Sequence, residues 1–264
     1  MVLPLFLNMA GLPDWVSLTL GPPLVCLTIA FVALHGKLTL GGRRTAGLVV
    51  IVAAAGFAAE YASLHWGTIF GSRYSYPPDR WPGGSVCCVP LLVALFWAVY
   101  VYIGYAVVDS FMRWLGVGKP AHDSGRAADI LILPLLVAAD GIVVTAIDLF
   151  TDPVLVFRGN WVWEEAGVFF GVPLGNFTGW FLVVVAATGL FRTLEFFRPA
   201  PAPAAPDALH LMPVVIYGLL AFGFAVYSLR IMDRPALTVV GTLAMGAVVV
   251  ANAVCYAFRK RLAS

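Results

Sequence analysis

Residues 131–150 read LILPLLVAADGIVVTAIDLF, and only Asp140 and Asp148 carry charge in this stretch. About 20 apolar residues are enough to cross the roughly 30 Å hydrocarbon core of a bilayer as a helix. The stretch therefore predicts a transmembrane helix with two carboxyl groups inside the membrane. Because lipid offers no hydrogen-bond partner in place of water, acids at that depth require a partner or a function.

The rest of the chain has the same apolar character. Hydrophobic residues make up 61% of the 264 residues and charged residues 11%, whereas soluble domains carry about 25% charged residues. A shorter stretch at 162–176, interrupted by Gly and Pro, predicts a re-entrant or interfacial helix. The predicted fold is an all-α polytopic membrane protein with about seven transmembrane helices plus that short helix. The seven apolar stretches are 16–35, 45–64, 86–108, 128–148, 176–194, 209–229 and 235–258.

Lys and Arg are distributed unevenly between the two sets of alternating loops, with eleven in one set and five in the other. Because cytoplasmic loops carry the excess of positive charge, this bias predicts an outside N-terminus and a cytoplasmic C-terminus, in the cytoplasmic (inner) membrane. We interpret residues 1–264 as a single transmembrane domain. Residues 198–206, RPAPAPAAP, predict a stiff Pro/Ala-rich linker on the cytoplasmic side.

Two long loops on the predicted non-cytoplasmic side are unusually aromatic. The first is HWGTIFGSRYSYPPDRWPGGS at 65–85, and the second is FTDPVLVFRGNWVWEEAGVFFGVPLGNFTGW at 150–180. An interfacial aromatic belt is one explanation for the rings. It does not account for the Gly, Pro, Asn and acidic residues between them, so these loops are candidate walls of a binding site.

Three carboxyl groups are predicted to lie within the membrane. Asp140 is the deepest, Asp148 lies roughly 80° further around the same helix, and Glu60 occupies the outer third of its own span. A charged acid near the bilayer centre costs about 2.5–3.5 kcal/mol on insertion scales. One explanation is hydrogen bonding between helices. The other is convergence beneath the aromatic loops, where a shielded and protonated carboxyl can act as a general acid.

His65 follows Glu60 in the sequence and is a candidate for activating water, although a lone histidine is more often an interfacial hydrogen-bonding residue. Asp109 lies near the cytoplasmic end of its span, where we expect it to be solvated. The remaining histidines lie in or beside predicted cytoplasmic loops, and the spacing predicts no metal site. The candidate catalytic residues are Glu60, Asp140, Asp148 and His65.

Several motifs occur together in the chain: Glu60, FG at 70–71 followed by Tyr74-Ser75-Tyr76, Asp148, Asp152-Pro153, Trp161-Val-Trp163, and GVPLGNFTGW at 171–180. In combination they resemble the membrane carotenoid-biosynthesis family, which includes the carotenoid 1,2-hydratases of the CruF type. The resemblance covers roughly residues 45–195.

The resemblance implies a hydro-lyase that adds water across the terminal double bond of an acyclic (ψ-end) carotenoid and gives a tertiary alcohol. The partners implied are the carotenoid substrate, membrane lipid and other carotenoid-biosynthesis enzymes, with no nucleic acid and with the oligomeric state open. The motifs and the aromatic residues of the two loops give as candidate substrate-binding residues Trp66, Phe70, Tyr74, Tyr76, Asp152, Trp161, Trp163, Asn176 and Trp180.

The candidate residues suit that chemistry. A shielded acid protonates the alkene, aromatic rings stabilise the resulting tertiary carbocation, and water then attacks it. No redox step occurs, so no cofactor is expected.

Two other functions stay open at this stage. A carotenoid end-group cyclase or isomerase uses the same acid-initiated carbocation but ends by attack of a neighbouring double bond and loss of a proton. A non-enzymatic carrier or transporter of an isoprenoid lipid belongs to a different class. It would be favoured by internal repeats and broken helices, of which the sequence shows no convincing example beyond the interruption at 162–176. A retinal-binding protein is excluded, because Lys37, Lys119 and Lys260 all lie at predicted helix ends.

Overall fold

The computed structural model describes residues 14–81, 83–118, 127–199 and 203–263. Within these residues the chain forms two small two-stranded sheets between its helices, β1 with β4 and β2 with β3. In chain order the elements are α1 (Asp14–Thr39), α2 (Gly42–Trp66), β1 (Tyr74–Ser75), a 3₁₀ helix (Pro78–Arg80), β2 (Ser85–Val86), β3 (Val89–Pro90), α3 (Leu91–Trp114), α4 (Ala127–Phe157), β4 (Val162–Trp163), α5 (Leu174–Phe197), α6 (Asp207–Arg230) and α7 (Pro235–Ala263).

Each of the seven predicted apolar stretches overlaps one helix. Over the described residues, the six helices α2 to α7 are long and apolar enough to cross a membrane. Helix α1 has 26 residues and contributes a shorter apolar run, Val25–Thr39. The prediction of an all-α polytopic architecture is confirmed.

Proline and glycine set several helix ends. Pro90, Pro173 and Pro206 directly precede α3, α5 and α6. Proline has no N–H and a fixed φ, so it suits a helix start, where an N–H would lack an intrahelical acceptor. Gly67 ends α2 with φ 67°, a left-handed conformation open to glycine, and donates its N–H to the Ser63 carbonyl at 2.8 Å. The first aromatic loop therefore begins at Gly67.

Helix α3 is the centre of the bundle. It packs against α2, α4, α6 and α7, and it is the most deeply buried of the six membrane-length helices. Helix α5 packs against both α2 and α4. We call the end of the bundle at which α2 and α4 finish the loop end. There the last turns of α2 and α4 meet the first turns of α3 and α5.

The two aromatic loops pair with each other at the loop end. Strand β1 runs antiparallel to β4, with Tyr74 opposite Trp163. The Trp81 indole N–H of the first loop donates to the Asn160 carbonyl of the second at 2.7 Å. Together the loops form a lid of rings over the helix ends.

The short helix predicted within residues 162–176 is not formed. Residues 167–172 instead make a tight reversal, in which Gly167 pairs with Gly171 and Phe169 pairs with Val172. Phe170 and Gly171 have positive φ values of 51° and 90°, which are incompatible with a right-handed helix. The segment is apolar because its phenylalanines pack against the core, and the sequence alone does not separate that pattern from a short buried helix.

The first loop crosses the start of α5 at two glycines. A Cβ built on Gly175 would lie 2.6 Å from Gly71 Cα, and one built on Gly71 would lie 2.8 Å from Gly175 Cα. One turn further along α5, a Cβ on Gly179 would lie 2.5 Å from the Ile69 carbonyl oxygen. The two backbones can touch only because these residues lack side chains. This contact holds Phe70 and the residues that follow it against the bundle.

Gly175→Ala is expected to destabilise the protein, because the new methyl group would overlap the Gly71 backbone. Overpacking of this kind costs about 1–3 kcal/mol. The matched control is Gly246→Ala in α7, where an added Cβ has no atom within 4 Å. Thermal unfolding in detergent should give a lower Tm for Gly175→Ala and an unchanged or higher Tm for Gly246→Ala. Equal Tm values would contradict the close contact.

Candidate active site at the loop end of the bundle

Glu60 lies in the last two turns of α2 and is only 4% exposed. Its carboxyl group accepts hydrogen bonds from three side chains. The Tyr74 and Tyr76 hydroxyls donate to Oε2, the latter at 2.6 Å, and the Trp97 indole N–H donates to Oε1 at 2.9 Å. Hydrogen bonds to an ionised group contribute about 1.5–3 kcal/mol each. A single carboxyl group therefore joins α2, α3 and the first aromatic loop.

Tyr74 and Tyr76 remain protonated donors in this arrangement. Both lie in the loop between α2 and α3. Burial raises the pKa of each hydroxyl well above its ordinary value, and repulsion between a phenolate and the Glu60 carboxylate raises both pKa values further. The hydroxyl groups therefore keep donating to Glu60 throughout the neutral and mildly alkaline range.

Asp148 and Asp152 form a second acidic site one turn apart on α4. They are 1% and 2% exposed. The Asn176 side-chain N–H₂ in the first turn of α5 donates to both, at 2.8 Å from Asp148 Oδ2. Because one amide nitrogen contacts both carboxyl groups, the two lie side by side, and Asp148 Oδ1 makes no hydrogen bond to any described residue.

A cavity of about 40 Å³ lies between the two acidic sites. Glu60 and Asp152 both line it, together with Thr151 and Asn176. Since one water needs roughly 10–15 Å³ on this measure, the cavity accommodates a few water-sized molecules. Its aromatic lining consists of Phe70, Tyr74, Tyr76, Trp81, Phe96, Trp97, Tyr100, Trp161, Trp163 and Trp180.

The rings around the cavity are packed on one another. Trp97 and Trp180 stack with centroids 3.7 Å apart and planes 16° apart, and Trp81 stacks on Trp161 at 6.1 Å and 12°. A cation held near an aromatic face gains about 0.5–2 kcal/mol from the ring quadrupole. The lining is therefore suited to a positive charge that forms transiently on an apolar molecule.

Asp140 does not share this cavity. It is fully buried and accepts two hydrogen bonds from Arg192 of α5, from Nε at 2.6 Å and from Nη2 at 2.7 Å. Arg192 Nη1 also donates to Asp109 at 2.9 Å, so Asp109 is ion-paired and not simply solvated as expected. The prediction that Asp140 converges with Glu60 and Asp148 is wrong. Its carboxylate is instead ion-paired with Arg192, and neither residue lines the cavity.

His65 and Trp66 lie outside the cavity at the end of α2. His65 donates from Nδ1 to the Tyr61 carbonyl at 2.8 Å and packs on the Tyr61 ring at 4.2 Å. Trp66 is 62% exposed. Five residues along a helix correspond to a rotation of about 140°, which turns His65 away from Glu60. The structure therefore does not bring His65 and Trp66 into the cavity, contrary to the sequence-based prediction.

Five polar or aromatic residues of the cavity were not among the predicted site residues: Trp81 of the first loop, Phe96, Trp97 and Tyr100 of α3, and Thr151 of α4. The available signal was the one-turn spacing of Trp97 and Tyr100 in an apolar stretch, because a buried tyrosine or tryptophan needs a hydrogen-bond partner. Asp148 contacts the cavity lining through Asn176. The predicted residues that do line the cavity are Glu60, Phe70, Tyr74, Tyr76, Asp152, Trp161, Trp163, Asn176 and Trp180.

The helices and the cavity together define a polytopic membrane protein with a buried acidic site beneath two aromatic loops. The family model for carotenoid biosynthesis proteins matches residues 20–249, and the chain belongs to that family. The match includes every residue named above as lining the cavity. Neither a curated protein nor a solved structure gives a significant match to the chain.

Arg192→Met is expected to lower the free energy of unfolding by about 3–5 kcal/mol, since Asp140 would be left buried without its ion-pair partner. Arg113→Met is the matched control. Arg113 contacts Asp207 at 3.2 Å, and both side chains are partly exposed, where an ion pair contributes about 0–1 kcal/mol. Denaturant unfolding in detergent distinguishes the two. Losses of equal size would contradict a structural role specific to Arg192.

Proposed function

We propose that this protein is a carotenoid end-group hydratase, which adds water to the terminal double bond of an acyclic (ψ-end) carotenoid. The observation that carries the proposal is a water-sized cavity lined by carboxyl groups of two separate acidic sites and by aromatic rings. Membership of the carotenoid biosynthesis family supports the substrate class. The carboxyl groups and the rings support the type of reaction.

We assign to the Asp148–Asp152 pair the proton that is transferred to the substrate in the first step of the reaction. Two buried carboxylates beside one amide repel each other when both are ionised, which favours a single proton shared by the pair. Asp152 lines the cavity and transfers this proton to the less substituted carbon of the terminal double bond. The π electrons form the new C–H bond, and a tertiary carbocation is left at the neighbouring carbon.

Glu60 and the rings are assigned the stabilisation of that carbocation. The donors Tyr74, Tyr76 and Trp97 hold the Glu60 carboxyl in one position, so it need not reorganise as charge develops. The stacked tryptophans add the quadrupole attraction of their rings. Together these groups lower the energy of a cation that bulk lipid would not stabilise.

Water then attacks the carbocation and forms the C–O bond. The proton that the attacking water loses returns to the Asp148–Asp152 pair, so the site ends in its starting protonation state. The net change is addition of H and OH, with no electron transfer and therefore no cofactor. Asn176 keeps the two carboxyl groups together throughout the cycle.

We place the loop end on the non-cytoplasmic side, because more Lys and Arg residues lie in or beside the loops at the opposite end, even without the buried Arg192. A carotenoid end group is larger than the cavity, so side chains of the lid must move when it enters. A hydrocarbon dissolved in the bilayer reaches such a site from the lipid, with its end group at the interface.

The reaction can be tested by expressing the protein in cells that make lycopene and measuring the mass of the carotenoids. A gain of one water per modified end is expected. Glu60→Gln and Asp148→Asn should each reduce the hydrated product by about 10²-fold or more, the range lost when an electrostatic stabiliser or an acid–base group is removed. The control is Asp207→Asn, whose carboxyl group pairs with Arg113 at the opposite end of the bundle and should leave the product unchanged.

Three outcomes would count against the hydratase. A product of unchanged mass but altered absorption would indicate a cyclase or an isomerase. Unchanged carotenoids in cells that contain the folded protein would favour a carrier. Full activity in both Glu60→Gln and Asp148→Asn would overturn the roles assigned to those two carboxyl groups.

A further inference from the structure

Tyr100 presents a buried hydroxyl group for which the fold provides no partner. The side chain is 5% exposed and lines the cavity, and its hydroxyl makes no hydrogen bond of normal geometry to any described residue. Thr151 is its polar neighbour, but the Thr151 hydroxyl donates to the Ile147 carbonyl at 3.0 Å. A buried tyrosine hydroxyl is normally paired, so this one requires an explanation.

Trp163 presents a second unpaired donor at the same cavity. Its indole N–H is buried without a partner over the described residues, while the side chain lines the cavity and is 8% exposed. The indoles of Trp81 and Trp97, also in the lining, both donate within the protein, to Asn160 and Glu60. The indole N–H groups of the cavity lining therefore do not in general lack a hydrogen-bond acceptor.

Neither donor is hydrogen-bonded to the described protein, so an additional oxygen in the cavity would satisfy both. The end group of an acyclic hydrocarbon has no lone pair, so it cannot accept from Tyr100 or Trp163. The cavity volume of about 40 Å³ suits water, which needs two to four polar partners to be held in a buried site. Asp152 and the Thr151 hydroxyl oxygen, both in the lining, can accept the hydrogen atoms of that water.

We propose that Tyr100, assisted by Trp163 and Thr151, binds the water that attacks the carbocation, an inference that rests on the hydratase function proposed above. Tyr100 and Trp163 each donate to one lone pair of the bound water, and the Trp163 hydrogen bond is given up as its lone pair forms the C–O bond. The O–H bond that breaks releases its proton to the Asp148–Asp152 pair. Tyr100 thereby determines the fate of the cation, whereas the two aspartates determine whether it forms.

The two steps can be separated with isotopes. Membranes containing the protein are supplied with lycopene in D₂O, so that each protonation leaves deuterium in the end group, or in H₂¹⁸O, so that each hydration leaves ¹⁸O. In Tyr100→Phe the cation should still form, but it should lose a proton or cyclise more often. The ratio of ¹⁸O-labelled alcohol to total deuterated product is expected to fall about tenfold, the effect of losing one hydrogen bond to the attacking water.

Tyr61→Phe is the matched control, because Tyr61 lies on α2 and packs on His65, away from the cavity. It should keep the ratio of the unaltered protein. Tyr100→Phe should also keep the Tm, since its hydroxyl has no partner in the fold. Trp163→Phe removes the second donor and should lower the same ratio.

Different results overturn different parts of the argument. An unchanged ratio of hydrated to deuterated product in Tyr100→Phe would refute the water site and leave the hydratase intact. A large fall in Tm for Tyr100→Phe would also refute it, because the hydroxyl would then be bonded within the protein. Absence of deuterium from carotenoids treated with the unaltered protein would instead refute the proposed function itself.

Discussion

The hydrogen bonds that Glu60 accepts are the interaction on which the loop end depends. A carboxyl group buried among helices is unfavourable unless donors surround it. The two tyrosine donors come from the first loop and Trp97 comes from α3. Meeting them requires the loop to fold back over the bundle, where β1 pairs with β4 and Gly71 touches Gly175. The lid of aromatic rings is thus a consequence of one buried acid.

Two groups of acids within the described bundle differ in their partners. Asp140 and Asp109 are both ion-paired with Arg192, an arrangement that is costly to break. At the loop end, no Lys or Arg of the described chain lines the cavity, and neutral donors alone contact Glu60 and the Asp148–Asp152 pair. Acids without a cationic partner can exchange protons, so reactivity is expected at the loop end.

The sequence-based predictions were wrong where the position of a side chain depends on contacts between distant parts of the chain and not on the local residue pattern. The span containing Asp140 was correctly located, but nothing in its apolar pattern indicates that Arg192, fifty-two residues away, would bind the carboxylate. His65 is close to Glu60 in sequence and faces elsewhere because of helical rotation. The apolar segment at 162–176 resembled a helix, yet its phenylalanines pack around a tight turn with positive φ.

The sequence by itself determined the architecture and most of the cavity lining, because apolar length predicts membrane-spanning helices and an acid within such a helix stands out by its cost. It also indicated the carotenoid family through the motifs of the two loops. Only the tertiary structure decided which acids face one another and that Trp97 and Tyr100 join them. It also decided that Tyr100 and Trp163 lack partners. Those facts depend on contacts between helices that are distant in the chain, and residue pattern within one helix does not encode them.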